Sequence, residues 1–328
     1  MIEKFLSEVT YVNHMSHESF DEQLNDVNKV ETEKGILEYV VIEPERYSAK
    51  SAVLFVGGFG QGKDTYTDEM FNLCNEGRKV LYANPIRGFD TSEIDDLNSL
   101  GEKFNISDTV LAKANELETV LQNENLEEVD LIGHSQGALV LSVLALHRPE
   151  LAKNIVLQCP EGLQGDISTP KFAEKLAYEL IVQTVENIKE YIQGNTHPLA
   201  ASAKAGKSFT KEFFRDVLWR LTTEVPGSAK VDIAPILKEI KASKEETGVG
   251  PHVTLLNAQN DNLFNPEMFE DGLEVNSSDA IKQTEDGSGP FQYIDSWAMY
   301  TRKGAGHNAP VTELPGLLSQ VLDANDSV

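Results

Sequence analysis

One serine in the chain is flanked by glycines at the spacing expected for a catalytic nucleophile. Gly133, His134, Ser135, Gln136 and Gly137 follow the strand run VDLI and open an apolar helical segment. The turn between such a strand and helix is so tight that the serine takes a strained backbone conformation, and its neighbours two residues away must lack side chains. The hydroxyl then projects from the edge of the sheet. The pattern therefore predicts that Ser135 is a nucleophile.

A serine hydroxyl is a poor nucleophile until a base takes its proton. His307 is the best placed of the seven histidines, because its small-residue loop, GAGHN, follows the last strand run and lies at the sheet edge that carries Ser135. His134 lies inside the turn, where its side chain should point away from Ser135. The remaining five histidines lack such a setting: His14, His17, His147, His197 and His252. His14 and His17 are spaced H-x-x-H, but no further metal ligands lie near them in the sequence.

The base in turn needs an acid that holds its tautomer and stabilises the imidazolium. Asp261 is the candidate, because it follows the strand run HVTLLN and precedes a proline at which a helix could start. The chain order Ser135, Asp261, His307 is the order that a strand-turn-helix nucleophile uses. Glu161, just after another strand run, is the competing acid, and Asp295 is less well placed because it lies within a strand run.

The developing oxyanion requires two backbone N–H donors. One is expected from Gln136, the residue after the nucleophile, and the other from the glycine-rich loop at 57–62, which directly follows the strand run AVLFV. Phe59 is the predicted second donor, with Gly58 next. A phosphate-binding loop is rejected, because G-x-G-x-x-G is absent and Asp64 stands where a P-loop needs Ser or Thr.

Strand runs alternate with helical segments along most of the chain. This alternation predicts an α/β fold with a mostly parallel sheet flanked by helices, in which ligands bind beyond the carboxyl ends of the strands. The predicted strands lie at 36–43, 52–56, 79–83, 129–132, 154–158, 252–257 and 292–301. The predicted helices between them lie near 66–76, 106–121 and 136–147, the second with Ser107 and Asp108 near its start.

Residues 161–249 have a helical pattern and almost balanced charge within an otherwise acidic chain. They are predicted to form an inserted all-helical cap, with residues 1–160 and 250–328 forming the core domain. The acidic stretch within 261–295 lacks calcium-loop spacing and is read as a solvated loop. Residues 1–34 give no clear prediction.

The charge and residue composition of the chain argue against several classes of function and location. The chain has 53 acidic and 28 basic residues and a net charge of −25, which argues against a nucleic-acid partner. The start of the chain does not resemble a signal peptide, no apolar stretch reaches the length of a membrane span, and only Cys74 and Cys159 are present. We therefore expect a cytoplasmic protein that needs neither cofactor nor metal.

Four landmarks together resemble the α/β-hydrolase superfamily: GGFG at 57–60, NPIRGFDTS at 84–92, GHSQG at 133–137, and the pair NDNLF with GAGH. Arg87, Gly88 and Ser92 match the family's second landmark, whereas Pro85 and Asp90 depart from it. The resemblance implies an α/β-hydrolase fold with a helical cap. It also implies a triad in which Ser135 attacks an acyl carbonyl, His307 transfers the proton and Asp261 orients His307.

The leading hypothesis is a serine hydrolase that cleaves a carboxylic ester, thioester or related acyl bond in a small, partly apolar substrate. An acidic nucleophile, which haloalkane dehalogenases and most epoxide hydrolases of this fold need, is absent from the turn. Two other enzyme classes stay open: an aminopeptidase, with Glu161 or Glu224 binding the substrate amine, and a C–C bond hydrolase. A non-catalytic binding protein on the same scaffold is the alternative outside the enzymes.

Overall fold

The computed structural model describes residues 15–32, 35–83, 85, 95–162, 168–175, 178, 220–258, 261, 282–283, 294–300 and 316–326. Within this part of the chain the strands form one sheet in the order β1-β2-β4-β3-β5-β6-β7-β9-β8. Their bounds are β1 Val27–Thr32, β2 Gly35–Ile42, β3 Ala52–Val56, β4 Val80–Ala83, β5 Val129–His134, β6 Ala152–Gln158, β7 His252–Ala258, β8 Lys282–Gln283 and β9 Ser296–Tyr300.

The described helices connect these strands and cover the sheet. The α-helices are α1 His17–Asn25, α2 Thr67–Asn75, α3 Asp95–Phe104, α4 Asp108–Asn123, α5 Gln136–His147, α6 Val225–Ala229, α7 Ala234–Thr247 and α8 Leu317–Asn325. Short 3-10 turns cover Lys63–Tyr66 and Pro149–Leu151, and Arg220–Glu224 forms a π-helical turn directly before α6. Residues 169–175 are also helical.

The centre of the sheet is parallel. Strands β4, β3, β5, β6, β7 and β9 pair in parallel, whereas β1 pairs antiparallel with β2, β2 with β4, and β8 with β9. The central strands are buried on both faces, which explains why their sequences are mostly apolar rather than alternating between polar and apolar residues. The prediction of an α/β fold with a mostly parallel sheet is confirmed.

Two apolar cores, one on each face of the sheet, hold the helices in place. One contains buried side chains of α4, α5 and α7, and the other contains those of α1, α2 and α8. Adjacent strand residues alternate between the two, as Leu54 and Phe55 do on β3. The sheet is therefore a rigid platform whose carboxyl edge can carry a site.

The chain start and the helix beginnings differ in detail from the sequence-based expectations. The N-terminal region, for which no structure was predicted, supplies α1 and the edge strand β1. Ser107 occupies the N-cap position of α4 with extended backbone angles, although its side chain makes no capping bond. The strand expected at 292–301 is described as Ser296–Tyr300.

The expected cap at 161–249 lies only partly within the described residues. Its last helix, α7, packs in the same core as α5 through Ile236, Leu237 and Ile240. Residues 163–167, 176–177 and 179–219 lie outside the described residues, so an all-helical cap there stays a prediction. None of the helices in the described part of the chain is both long and apolar enough to cross a membrane.

Candidate active site

Ser135 has the strained backbone that its sequence setting predicts. It connects β5 to α5 with φ 54° and ψ −119°, a conformation that residues with a side chain rarely adopt. Its N–H donates to the carbonyl oxygen of Gln158 at 2.9 Å, and its carbonyl oxygen accepts from the N–H groups of Ala138 and Glu161, each at 3.1 Å. These three bonds tie the turn to α5 and to the end of β6, so the surrounding structure maintains the strain.

Both glycines of the turn are required because a side chain at either position would overlap neighbouring atoms. A Cβ placed on Gly137 would lie 2.3 Å from the carbonyl oxygen of Val56 and 2.6 Å from that of Gly57. A Cβ on Gly133 would lie 2.5 Å from the Cα of Ala138. Neither glycine has a positive φ. Close packing of α5 against β3 and β5 is thus the physical reason for the G-x-S-x-G spacing.

The glycine loop after β3 packs directly over the serine turn. A Cβ on Gly58 would lie 3.0 Å from the Cβ of Ser135, and one on Gly57 would lie 2.7 Å from both Tyr66 Cε2 and the hydroxyl oxygen of Tyr82. The absence of side chains therefore lets the loop backbone approach Ser135. In this arrangement backbone N–H groups can donate hydrogen bonds to a negative charge that develops beside the serine.

A buried tyrosine holds the glycine loop. The N–H of Gly58 donates to the hydroxyl of Tyr66 at 2.7 Å, and that hydroxyl also contacts Gln61 Oε1. His134 Nδ1 lies 2.9 Å from Gln61 Oε1 and 3.0 Å from the hydroxyl of Tyr66. Because an amide oxygen only accepts, we assign the ring hydrogen to Nδ1. His134 thus supports the loop.

The hydroxyl of Tyr66 is kept neutral by its surroundings. Burial, followed by electrostatic repulsion from the neighbouring Tyr82, raises the pKa of Tyr66 well above its ordinary value. The hydroxyl therefore stays protonated across the neutral range and remains able to both donate and accept. The Gly58 amide, the second of the two loop amides named from the sequence, is thus bonded to a neutral hydroxyl.

Gln136 begins α5, directly after the serine. As the first helical residue, its amide has no acceptor within the helix. Its side chain is buried between two other elements: Oε1 accepts from Lys113 Nζ at 2.7 Å, and Nε2 donates to Ser228 Oγ at 3.2 Å. Lys113 Nζ also contacts Glu224 Oε1 at 2.5 Å. The sequence reasoning missed Lys113 and Ser228, along with Tyr66 and Gln61.

The candidate acids fall at different places on the sheet. Asp261 is buried just past the end of β7, where its N–H donates to the carbonyl oxygen of Ala258 at 3.1 Å, so it lies at the carboxyl edge that also carries Ser135. Glu161 is buried at the same edge. Asp295 precedes β9 and exchanges two hydrogen bonds with the backbone of Val253 near the start of β7. Asp295 therefore lies at the opposite edge.

His307, the predicted base, lies outside the described residues, as do His14 and His197. The described histidines other than His134 have partners away from the turn. His17 stacks on Phe71, with ring centroids 4.1 Å apart, and His147 Nε2 lies 3.6 Å from Glu118. His252, at the start of β7, forms a hydrogen bond with Ser296, at the start of β9. Burial lowers the pKa of His252.

The remaining landmarks are described only in part. Of NPIRGFDTS the structure describes Pro85, and of NDNLF it describes Asp261. No group of three or more His, Cys, Asp or Glu side chains suited to a metal ion occurs in the described ranges. The acidic stretch within 261–295 lies almost entirely outside them. Both cysteines are buried free thiols.

Residues 51–271 match the family model described as alpha/beta hydrolase fold, which covers more than half of the chain. The chain belongs to this family. The match spans the glycine loop, the serine turn and Asp261. It therefore establishes the superfamily that the landmarks predicted.

Individual relatives are distant. Over 131 residues the chain is 28% identical to the abhydrolase domain-containing protein abhd-5.2 of Caenorhabditis elegans, a match that covers 39% of this chain and 27% of that protein. The chain thus matches about a quarter of the length of this relative.

Solved structures of the α/β-hydrolase fold resemble the chain over most of its length. A probable hydrolytic enzyme from Pseudomonas aeruginosa has 14% identity and a TM-score of 0.55, covering 92% of this chain and 93% of its own. A thermophilic esterase from Thermogutta terrifontis has 16% identity and a TM-score of 0.53, with 92% and 97% covered. Carboxylesterases from Nitrososphaera gargenis include a chain with 13% identity and a TM-score of 0.54, with 92% and 98% covered. These likenesses show the fold.

Proposed function

We propose that the chain is a serine hydrolase that cleaves a carboxylic ester, thioester or related acyl bond through an acyl-enzyme intermediate. The observation that carries this proposal is the strained backbone of Ser135 directly beneath the glycine loop. A residue with a side chain occupies this conformation only where the surroundings enforce it, and such strain clusters at active sites. Family membership supports the same reaction class.

The proposed reaction begins when the hydroxyl oxygen of Ser135 attacks the acyl carbonyl carbon while His307 takes the hydroxyl proton. The carbonyl oxygen becomes an oxyanion, which the amides of Gln136 and Phe59 stabilise. His307 then gives its proton to the leaving alcohol or thiol, and the acyl group stays on Ser135. Water repeats the cycle on the acyl-enzyme, which releases the acid and restores the serine. Side chains carry every proton, so the reaction requires no cofactor.

Asp261 is proposed to orient His307 and to stabilise its protonated form. Its burial just past β7, on the edge that carries Ser135, supports this role. Glu161 remains the competing acid, because its own amide is bonded to the carbonyl oxygen of Ser135. The variants Asp261→Asn and Glu161→Gln distinguish the two acids.

The substrate is proposed to be a small, partly apolar acyl compound admitted under a helical cap. The aminopeptidase alternative receives less support from Glu224, because this carboxylate is buried and bonded to Lys113 rather than available to a substrate amine. Glu161 is then the remaining acid that could bind such an amine. A C–C bond hydrolase would use the same nucleophile.

A panel of acyl substrates tests the proposal: p-nitrophenyl esters of graded chain length, acyl-CoA thioesters and aminoacyl anilides. We expect turnover of at least one ester or thioester, loss of turnover in Ser135→Ala, and a decrease of several orders of magnitude in His307→Ala. Turnover of anilides alone would favour the aminopeptidase. A folded wild-type chain that turns over none of them and does not react with a serine-directed probe would favour a binding protein.

A further inference from the structure

A buried lysine contacts the residue that follows the nucleophile. Lys113 lies on α4 with 3% of its surface exposed, and its ammonium group is 2.7 Å from Gln136 Oε1 and 2.5 Å from Glu224 Oε1. Burying an ammonium group is costly unless a charge and hydrogen bonds compensate it. Glu224 supplies the charge, and the side-chain amide of Gln136 supplies a further acceptor.

The side-chain amide of Gln136 also contacts a third element of the fold. Gln136 Nε2 donates to Ser228 Oγ at 3.2 Å. Glu224 and Ser228 lie on the π-helical turn and on α6, in the later part of the proposed cap, and residues 220–229 are called the return segment. This return segment packs closely on the start of α4, because a Cβ on Gly227 would lie 3.0 Å from the Oγ of Ser107. Gln136 is thus clamped between α4 and the return segment.

Stability alone gives little reason for this arrangement. A buried ion pair is often no more stabilising than apolar side chains of similar volume, because the desolvation cost offsets the attraction. What the pair does provide is fixed geometry, since the ammonium group binds its oxygen acceptors in defined positions. The group so fixed belongs to the residue whose amide is proposed to bind the oxyanion, where small displacements lower rates strongly.

We propose that Lys113 and Glu224 are positioning residues that hold Gln136, and with it the oxyanion-binding amide at the start of α5. This inference rests on the proposed function, because it assigns the pair to the same oxyanion site. The clamp also joins the return segment of the proposed cap to that site. A change in the position of this segment would therefore alter the placement of the Gln136 amide.

Steady-state kinetics with the p-nitrophenyl ester that the wild type cleaves fastest tests the proposal. We expect Lys113→Met and Glu224→Gln each to lower kcat at least tenfold while KM changes less than about twofold, since a displaced donor affects the transition state more than the bound substrate. Binding of a trifluoromethyl ketone, whose serine adduct carries an oxyanion, should weaken by the same factor as kcat/KM.

The double variant Lys113→Met/Glu224→Met separates positioning from stability. Removing both charges should restore much of the melting temperature lost in each single variant, whereas kcat should stay low because nothing holds the Gln136 amide from α4. The matched control is Asp130→Asn, which breaks the fully buried Arg78–Asp130 pair at the far end of β5. This control should lower the melting temperature and leave kcat unchanged.

The outcomes distinguish failure of the clamp from failure of the hydrolase proposal. Wild-type kcat in the double variant, or an equal loss of kcat in Asp130→Asn at the same loss of stability, would overturn the clamp alone. A folded wild-type chain that neither reacts with a serine-directed probe nor turns over any acyl substrate would overturn the proposed function and the clamp together.

Discussion

The backbone N–H of Ser135 donates to the carbonyl oxygen of Gln158 at 2.9 Å, so the last residue of β6 fixes the strained turn at the end of β5. The side chain of Gln158 points to α2, where its Nε2 donates to Glu69 Oε1 at 3.1 Å. Both side chains are almost completely buried. Gln158 therefore contacts both the backbone of the proposed nucleophile and the buried carboxyl group of Glu69.

We predict that Glu69→Gln becomes more stable than the wild type as the pH rises. Burial raises the pKa of Glu69 well above its ordinary value. Above a pH of about 4.3 the unfolded chain has lost this proton while the folded chain keeps it, so wild-type stability falls as the pH rises toward the folded pKa. Glutamine carries no such proton and imitates the neutral acid.

Thermal unfolding at pH 5, 6, 7 and 8 measures this difference. The melting temperature of Glu69→Gln minus that of the wild type should increase from pH 5 upward until the pH reaches the folded pKa of Glu69. Over this range the unfolding free energies of the two proteins should diverge by up to about 1.4 kcal/mol per pH unit. The exposed Glu102 on α3 supplies the control, and Glu102→Gln should show no such trend. A constant difference across the four pH values would show that Glu69 is ionised in the fold.

The glycine that follows the serine by two residues should tolerate no side chain. We predict that Gly137→Ala loses reaction with a fluorophosphonate probe, because its Cβ would lie 2.3 Å from the carbonyl oxygen of Val56 and must displace α5 or β3. Gly248→Ala is the control: φ is +72°, yet nothing lies within 4 Å of the added Cβ. It should lose about 1–2 kcal/mol of stability and keep full labelling. Equal labelling of both variants would refute the packing argument.

The tyrosine beneath the glycine loop should matter for turnover. In Tyr66→Phe the N–H of Gly58 loses its acceptor, and we expect kcat to fall at least several-fold along with about 1–3 kcal/mol of stability. Tyr39→Phe is the matched control, because it removes a hydroxyl that bonds Glu124 and Asn123 instead. This control should lose stability with unchanged kcat. Parallel effects of both variants on kcat would argue against a role for Tyr66 in holding the loop.

Two isosteric changes identify the acid of the proposed triad. Asp261→Asn should lower kcat by on the order of 10⁴-fold, because an amide cannot stabilise the protonated His307. Glu161→Gln should lower it far less, if Glu161 only supports the turn through its backbone. Kinetics with one ester under identical conditions compare the two variants. A larger loss in Glu161→Gln would assign the acid to residue 161.

The elements that build the site could be predicted because most of their residues are apolar. The helix predicted at 136–147 matches α5, and the buried strands around it differ from their predicted limits by a few residues. The edge strand β1 was not predicted. Its sequence, VNKVET, mixes polar and apolar side chains, because an antiparallel strand at a sheet edge is partly exposed.

The supporting residues could not be predicted from the sequence, since their partners come from distant parts of the chain. Tyr66 reaches His134, and Lys113 reaches Glu224, across 68 and 111 residues. One signal was readable for Lys113. It falls three residues after Val110 and four before Leu117, within the apolar stripe of α4, where a lysine is out of place unless a buried charge faces it.

Covalent labelling tests the central claim, that Ser135 is the nucleophile, most directly. The wild-type chain is treated with a fluorophosphonate probe, digested, and analysed by tandem mass spectrometry. We predict one phosphonyl group per chain, on the Ser135 hydroxyl, and no adduct in Ser135→Ala. An adduct that persists in Ser135→Ala, or a folded wild-type chain that remains unlabelled, would contradict the claim.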